Sequence, residues 1–482
     1  MKSEVPVPEK TAAIPVVVSM DGTLIATDTL VEGAFLLLKR DPLSAARILG
    51  WLAQGKARLK ARIAEEVTLD VAHLPYRSHV LEYLQTARAQ GRRLVLATAA
   101  DARVAKQVGD FLGLFDAVLA SDGVLNLAGE QKRRRLVAEF GEKGFDYVGN
   151  ALPDVAVWRS ARTAVVVGGS SGLCRRVAKV TQVGQVIEGR GADPADYVRA
   201  LRLHHWPKNL LLFAPLVAAH QITDVALLVQ TLLALLAFSL CASGVYLLND
   251  LMDLEADRHH PRKRDRPIPS GRVSLNLVLG VLPTLLAASL GLSLMLPWGF
   301  VAVVGSYLAL NLAYSVYLKT VPILDVLILA GLYILRIIAG SVATEVWLSP
   351  WLLGFAMFLF LSLALVKRYA ELMTMRAVEG ARAKARGYQL DDAELLAALG
   401  SGAGYIAVLV LALYIQSETS HVLYARPQAL WALCVLLVYW ISHVWLIAHR
   451  SLMDDDPLVF ALRDPASRVV MVLMALVLFI AV

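Results

Sequence analysis

From Asn209 to the C-terminus the chain is a succession of long apolar runs separated by short charged loops. Helices packed in a water-soluble domain keep a polar face, so runs of this length belong in lipid. Nine lie near 209–220, 224–249, 273–296, 298–317, 321–344, 349–366, 398–417, 427–449 and 469–482. A spanning helix needs about 20 residues, and the first and last runs are short by that measure. The loops test the count. Those after the second, fourth, sixth and eighth runs hold sixteen Lys and Arg, whereas the alternate four hold only Arg426. Positive charge collects on the cytoplasmic side of a membrane, so this asymmetry implies nine spans with the N-terminus inside.

The first 200 residues are mixed and charged, which predicts a soluble domain before the membrane half. The opening "MKSEVPVPEK" has charge and proline but no apolar core of a signal peptide, so this domain is expected to stay in the cytoplasm. Cys174, Cys241 and Cys434 are far apart and form no CxxC pattern, so neither a disulfide framework nor a cysteine zinc site is suggested. The net charge of +7 follows from membrane topology, and nucleic acid is not an expected partner.

The densest chemistry lies at the end of the second run, in "YLLNDLMDLEADRHHPRKRDRPIPSG", Tyr246 to Gly271. Spacings of three and four place Asp250, Asp253 and Asp257 on one helix face, beside Asn249. Carboxylates at membrane depth are costly and repel one another, so a cation must neutralise them. Oxygen ligands suit Mg2+, which keeps waters and bridges phosphates, and the arginines that follow match phosphate geometry.

Asn-Asp-x-x-Asp-x-x-x-Asp resembles the first signature of the UbiA superfamily of membrane prenyltransferases, and the likeness extends over about 195–482. The family's second signature is matched by "YSVYLKTVPILDVLILAGLYILRIIAG", with Tyr314, Lys319, Asp325 and Arg336. The resemblance implies an all-α domain of nine transmembrane helices around a lipid-open cavity. "RLHHWPKNLLLFAPL", with Lys208 and Asn209, and "LVKRYAEL", with Lys367, Arg368 and Glu371, look most like the decaprenyl-phosphate phosphoribosyltransferase branch. That branch implies transfer of 5-phosphoribose from phosphoribosyl pyrophosphate to a polyprenyl phosphate, with Mg2+ as cofactor.

The roles implied are these. Asn249, Asp250, Asp253 and Asp257 hold metal and pyrophosphate. Asp250, Asp253, Asp257, Lys319 and Asp325 form the catalytic set. Lys208, Asn209, Arg262, Arg266 and Lys319 contact phosphates. Tyr314, Asp325 and Arg336 shape the ribose pocket, and Lys367 and Arg368 face the lipid phosphate. The setting would be the inner membrane of a bacterium, with lipid as neighbour and a homo-oligomer allowed. The alternative is an aromatic prenyltransferase using a polyprenyl diphosphate donor.

In the soluble half, "VVVSMDGTL" runs from a strand into Asp-Gly-Thr, "RRLVLATAA" ends a second strand at Thr98, "AGEQKRRRL" supplies Lys132, and "FDYVGNALPDVAVW" supplies Asn150 and Asp154. Together these resemble the haloacid dehalogenase-like phosphatases, an α/β, Rossmann-like fold with a small helical cap. Ser19 stands where that family places its nucleophilic Asp, and Asn150 where it places a metal-binding carboxylate, while Asp21, Thr98, Lys132 and Asp154 remain. An isolated serine hydroxyl is a weak nucleophile. The expectation is therefore a pseudo-phosphatase with a structural or regulatory role, with a bifunctional enzyme retaining phosphatase activity as the alternative. Domain limits are expected at 1–185, a linker at 186–200, and 201–482. The stretch "GKARLKARIAEE" reads as a solvated helix face, with contact to anionic headgroups as the alternative.

Overall fold

A computed structural model describes residues 14–189, 191–260, 263–379, 384–385, 387–453 and 457–482. The chain divides into two compact units, Met1–Leu201 with Tyr246–Leu282, and Arg202–Val245 with Pro283–Val482.

Unit one begins with strand β1 (Val16–Val18), helices α1 (Thr29–Arg40), α2 (Ser44–Ala53), α3 (Lys56–Glu66) and α4 (Ser78–Ala89), then β2 (Leu94–Asp101) and α5 (Ala102–Leu112). It continues through β3 (Ala117–Ser121), α6 (Gly129–Phe140), β4 (Asp146–Gly149), α7 (Asp154–Ser160), β5 (Thr163–Val167), α8 (Ser171–Ala178), β6 (Gln182–Ile187) and α9 (Pro194–Ala200). The six strands form one parallel sheet in the order β3-β2-β1-β4-β5-β6. Parallel strands covered on both faces read as continuous β-branched runs, and the three valines of β1 are fully buried. The pleat sends Val16 and Val18 into one core with Leu94, Leu96 and Val148, and Val17 into the other with Tyr147, Trp158 and Val166. The expected parallel α/β fold is present, with α1–α3 as a helical insert after β1.

Strand order reverses at β1, the place where open α/β sheets gather ligand loops. Residues 185–187 complete β6, and α9 carries a capping box between Asp193 and Asp196. Helix α3, the Lys/Arg-rich stretch, buries Ala57, Leu59, Ala61 and Ile63, and Lys60 donates to the Ala99 carbonyl at 2.6 Å.

Unit two opens with a 3-10 segment, Leu203–Phe213, and the short α10 (Ala214–Ala218). Helix α11 (Val225–Met252) passes from unit two into unit one, where α12 (Leu254–His259) follows it. The remaining helices are α13 (Leu275–Ser293), α14 (Trp298–Val316), α15 (Leu324–Thr344), α16 (Pro350–Glu379), α17 (Ala393–Ile415), α18 (Glu418–Leu423), α19 (Trp431–His449), α20 (Pro457–Arg463) and α21 (Pro465–Ala481). Among the described residues seven helices are long and apolar enough to cross a membrane, against the nine spans expected. The first expected span is the 3-10 segment and α10, broken around Pro207 and Pro215, and the last is the 17-residue α21. Neither reaches about 20 residues. Neighbouring helices pack in series, α14 on α15, α15 on α16, α16 on α17 and α17 on α19. At one crossing a side chain has no room: a Cβ on Gly340 of α15 would lie 1.9 Å from the Leu212 carbonyl oxygen. That close approach seats the 3-10 segment, and with it Asn209, against α15.

Candidate active site

The expected residues divide between the units. In unit one, α11 ends at Met252 and α12 begins at Leu254, with Asp253 in the joint. The i→i−4 bonds continue through it, from Asp253 N to Asn249 O at 2.9 Å and from Asp257 N to Asp253 O at 2.7 Å. The carboxylates keep their helical spacing but meet different cations. Arg266 lies 2.8 Å from Asp257 Oδ2 and 3.6 Å from Asp250 Oδ1, whereas Lys39 of α1 reaches Asp253 Oδ1 at 3.0 Å. So Asp250 and Asp257, both buried, share one guanidinium, and Asp253 is held from the other direction by the N-terminal domain. The expected neutralising charge is present beside all three carboxylates. Carboxylate oxygens of Asp250 and Asp257 crowded on a shared cation are donors that a hard divalent ion fits. Arg262 lies outside the described residues.

The loop after the aspartates is fastened to the N-terminal domain at several points that the sequence did not announce. Arg258 and Glu32 of α1 form a two-point pair at 2.5 and 2.7 Å, both side chains less than a tenth exposed. Arg258 Nε also donates to the Pro269 carbonyl at 3.0 Å, and Glu32 accepts from Thr27. Arg272 approaches Asp196 at 3.6 Å. Gly271 has φ of +72°, and a Cβ there would sit 2.5 Å from the Ala26 carbonyl oxygen, just past the Asp-Gly-Thr loop. Only glycine suits both the conformation and the contact.

In unit two, Asn209 is buried between Ser239 and Arg336: its Nδ2 donates to Ser239 Oγ at 2.9 Å and its Oδ1 accepts from Arg336 Nε at 2.8 Å. Arg336 also donates to Tyr307 Oη at 3.1 Å and lies 5.1–5.5 Å from the rings of Phe238, Tyr307 and Tyr333. Lys208 lies 5.9 Å from the centre of the same Tyr333 ring. Lys208, Asn209 and Arg336 therefore form one group. Asp325 and Arg368 form another: both are fully buried, paired at 2.6 Å, with Tyr388 Oη donating to Asp325 Oδ1 at 2.5 Å and Arg368 also bonded to Glu371. The charge of Arg368, expected to meet a lipid phosphate, is met by protein carboxylates. Tyr314, Lys319 and Lys367 are half-buried, at the end of α14, in the 3-10 turn Leu318–Thr320 and in α16.

Of the residues expected of a degenerate phosphatase site, Ser19 and Asn150 directly follow β1 and β4, Thr98 lies within β2, and Lys132 and Asp154 stand on α6 and α7. Lys132 donates to Ser19 Oγ and to Tyr147 Oη, both at 3.1 Å, and Tyr147 Oη donates to Asp154 Oδ1 at 2.8 Å. Asp154 Oδ2 accepts the N–H groups of Asn150 and Ala151, and Thr23 donates to Asn150 Oδ1 at 2.9 Å. Thr98 is buried and its Oγ1 accepts from Ala100 N at 3.0 Å. Burial pushes the Lys132 ammonium below its usual range, partly offset by Asp154 and Asp21. Asp21 is pushed up to about 7, first by burial and then by Asp28, against hydrogen bonds from Thr29. Tyr147, which the sequence reading passed over, links the lysine to Asp154.

Comparison with known proteins places these sites in context. An uncharacterized protein, y4nM, of Sinorhizobium fredii is 36% identical over 458 residues, 94% of this chain and 88% of the relative. A decaprenyl-phosphate phosphoribosyltransferase of Corynebacterium glutamicum is 40% identical over 180 residues, 36% of this chain and 54% of that protein. The solved structure of a UbiA homolog from Archaeoglobus fulgidus bound to DMAPP and Mg2+ aligns with a TM-score of 0.45 at 19% identity, over 59% of this chain and 99% of that one. The model of the UbiA prenyltransferase family matches residues 210–463, more than half of the chain. With its apolar helices and its aspartate motif, this chain is a multi-pass membrane protein and belongs to the UbiA prenyltransferase family.

Proposed function

We propose that the protein transfers 5-phosphoribose from phosphoribosyl pyrophosphate to a polyprenyl phosphate at the cytoplasmic membrane face, releasing pyrophosphate. The observation that carries this reading is the 40% identity over 180 residues with a protein named decaprenyl-phosphate phosphoribosyltransferase. The residues suit the chemistry. Asn249, Asp250, Asp253 and Asp257 would hold Mg2+, which when bound supplies positive charge to the departing pyrophosphate. Arg266, already shared by Asp250 and Asp257, is placed to exchange a carboxylate for a phosphate oxygen. Lys208 and Lys319 serve as further phosphate contacts, and Lys367 faces the lipid phosphate. Arg336, oriented by Asn209 and Tyr307, carries a fixed charge for the ribose-phosphate end. Tyr314 lines the ribose pocket. Asp325 and Arg368, buried and paired at 2.6 Å, act as positioning residues for α15 and α16. The acceptor phosphate is an anion, so attack at the anomeric carbon needs no general base, and catalysis is positioning plus charge stabilisation.

The N-terminal domain, on this reading, is a scaffold for the aspartate loop. The buried Glu32–Arg258 pair and the Gly271–Ala26 contact support that role more directly than any hydrolytic one. The test is a paired assay of the full chain in detergent with Mg2+. One arm receives labelled phosphoribosyl pyrophosphate and polyprenyl phosphate, the other a polyprenyl diphosphate and 4-hydroxybenzoate. A lipid-soluble phosphoribose product in the first arm alone, abolished by EDTA, is expected. A prenylated aromatic in the second arm alone would overturn the assignment.

A further inference from the structure

Asp70, His73 and His259 bring one carboxylate oxygen and two ring nitrogens within 4.8 Å of one another. All three belong to unit one. Asp70 caps and His73 ends a 3-10 turn, Val71–His73, between α3 and α4, and His259 closes α12, two residues past Asp257. His73 Nδ1 and His259 Nε2 point at the same atom, Asp70 Oδ2, at 2.7 and 2.9 Å. The two rings lie 4.1 Å apart.

The surroundings of the three groups are those of an oriented ligand set. The other oxygen of Asp70 is used to cap the turn, accepting from Ala72 N at 3.1 Å, which turns Oδ2 toward the histidines. Nδ1 of His259 lies 2.8 Å from the Glu255 carbonyl oxygen. A carbonyl oxygen can only accept, so Nδ1 carries the proton and Nε2 is the nitrogen that His259 turns to Asp70 Oδ2. Without a metal a proton on Nε2 bridges the pair, and the same two atoms are the ligands a metal ion would take in its place. A backbone carbonyl behind a histidine is also the usual outer partner that fixes the tautomer of a metal-bound imidazole. His73 and His259 are exposed, so water can complete the coordination.

We infer that Asp70 Oδ2, His73 Nδ1 and His259 Nε2 bind a divalent transition-metal ion of the zinc class, tying the N-terminal domain to the helix that follows the substrate-site aspartates. Two imidazoles and one carboxylate suit Zn2+ or Co2+ and discriminate against Mg2+, which takes oxygen. The site is separate from the oxygen-rich group of Asp250, Asp253 and Asp257, and its existence does not depend on which transfer reaction that group supports.

The test uses the full chain in detergent, stripped with EDTA and then held in millimolar Mg2+ to fill oxygen-ligand sites. Co2+ titration should develop visible d–d absorption saturating at one equivalent, bleached by one equivalent of Zn2+. His259→Gln and His73→Ala should each weaken Co2+ binding by about 100-fold or more, at or beyond the loss expected from removing an outer-shell partner alone. Zn2+ should raise the melting temperature of the wild type and of Asp250→Ala, but not of either histidine variant. Far-UV circular dichroism identifies a variant that has failed to fold, and the remaining histidine variant then decides. One-equivalent binding unchanged in the folded histidine variants, binding lost instead in Asp250→Ala, or no binding to the wild type would each overturn the inference.

Discussion

Two polar clusters in unit one, around Ser19 and around Asp250, are built in opposite ways. Around Ser19 the residues that would make a phosphatase have become neutral, and those that stayed charged are satisfied internally, Lys132 by Ser19 and Tyr147, Asp154 by Tyr147 and two backbone N–H groups. Around Asp250 the carboxylates are all kept, and their cations arrive from elsewhere, Arg266 from the following loop and Lys39 from α1. A closed network of hydrogen bonds resists entry of a ligand, because the ligand must replace partners already in place. Carboxylates held by exchangeable surface cations leave that replacement open. On the proposed function, the first cluster supports the domain and the second carries the transfer chemistry.

The largest expected effect separates the two clusters by activity. Asp250→Ala should lower kcat/KM for phosphoribosyl transfer by about 10⁴-fold, equivalent to roughly 5.5 kcal/mol of transition-state stabilisation. Ser19→Ala should stay within about twofold of wild type, and the wild-type product should retain its 5-phosphate. A product that loses its phosphate, in a manner sensitive to Ser19→Ala, would reverse the comparison. Next comes the support itself. Glu32→Ala strands a buried guanidinium and should destabilise unit one by about 3 kcal/mol, read as a lower melting temperature of the full chain. Glu32→Leu with Arg258→Met should recover most of that loss, because an apolar pair of similar volume removes both the charge and its desolvation cost.

A smaller effect concerns the one acid of the Asp-Gly-Thr loop. With its folded-state pKa at about 7, Asp21 binds a proton in the native state that the unfolded chain, near 3.8, has already released. The native state therefore holds more protons between those values. Stability from this group is complete below about 4 and is lost as pH rises through about 7. The melting temperature of Asp21→Asn should fall less than that of wild type between pH 5 and pH 8. Equal slopes would mean that Asp21 is ionised throughout and that the loop has a polar environment the hydrogen bonds do not reveal.

How much of this was legible in the sequence depends on the distance over which each signal acts. The valines of β1, the place of Asn150 just past β4 and the helical spacing from Asn249 to Asp257 are local patterns legible in the sequence, whereas β2 runs on to Asp101 and leaves Thr98 inside the strand. The fastening of the aspartate loop was invisible because its partners are remote: Glu32 and Arg258 are 226 residues apart, and Lys39 and Asp253 are 214 apart. Nothing in an isolated glutamate on α1 marks it as the partner of an arginine past the first long apolar run. The same blindness hid the Asp70–His73–His259 group, since a search for metal sites by spacing looks for cysteines and histidines close in sequence. Arg368 shows the opposite case: a basic residue at the end of an apolar run looks available, and packing pairs it with Asp325 and Glu371.

The finest distinction lies between holding Asp253 and competing for it. Lys39 and Asp253 are each about 30% exposed, so their pair is worth under about 1 kcal/mol to stability, and Lys39→Met should leave the melting temperature almost unchanged. Its effect should appear in the cation requirement. If Lys39 occupies a carboxylate oxygen that Mg2+ needs, its removal lowers the Mg2+ concentration for half-maximal transfer, by about threefold for a pair of that strength. If Lys39 instead orients Asp253, the requirement rises, and Lys39→Arg, which keeps the charge and the reach, restores it. The first outcome makes the N-terminal domain a brake on the membrane enzyme and the second makes it part of the site's framework, so one titration decides whether that domain regulates the transferase or only steadies it.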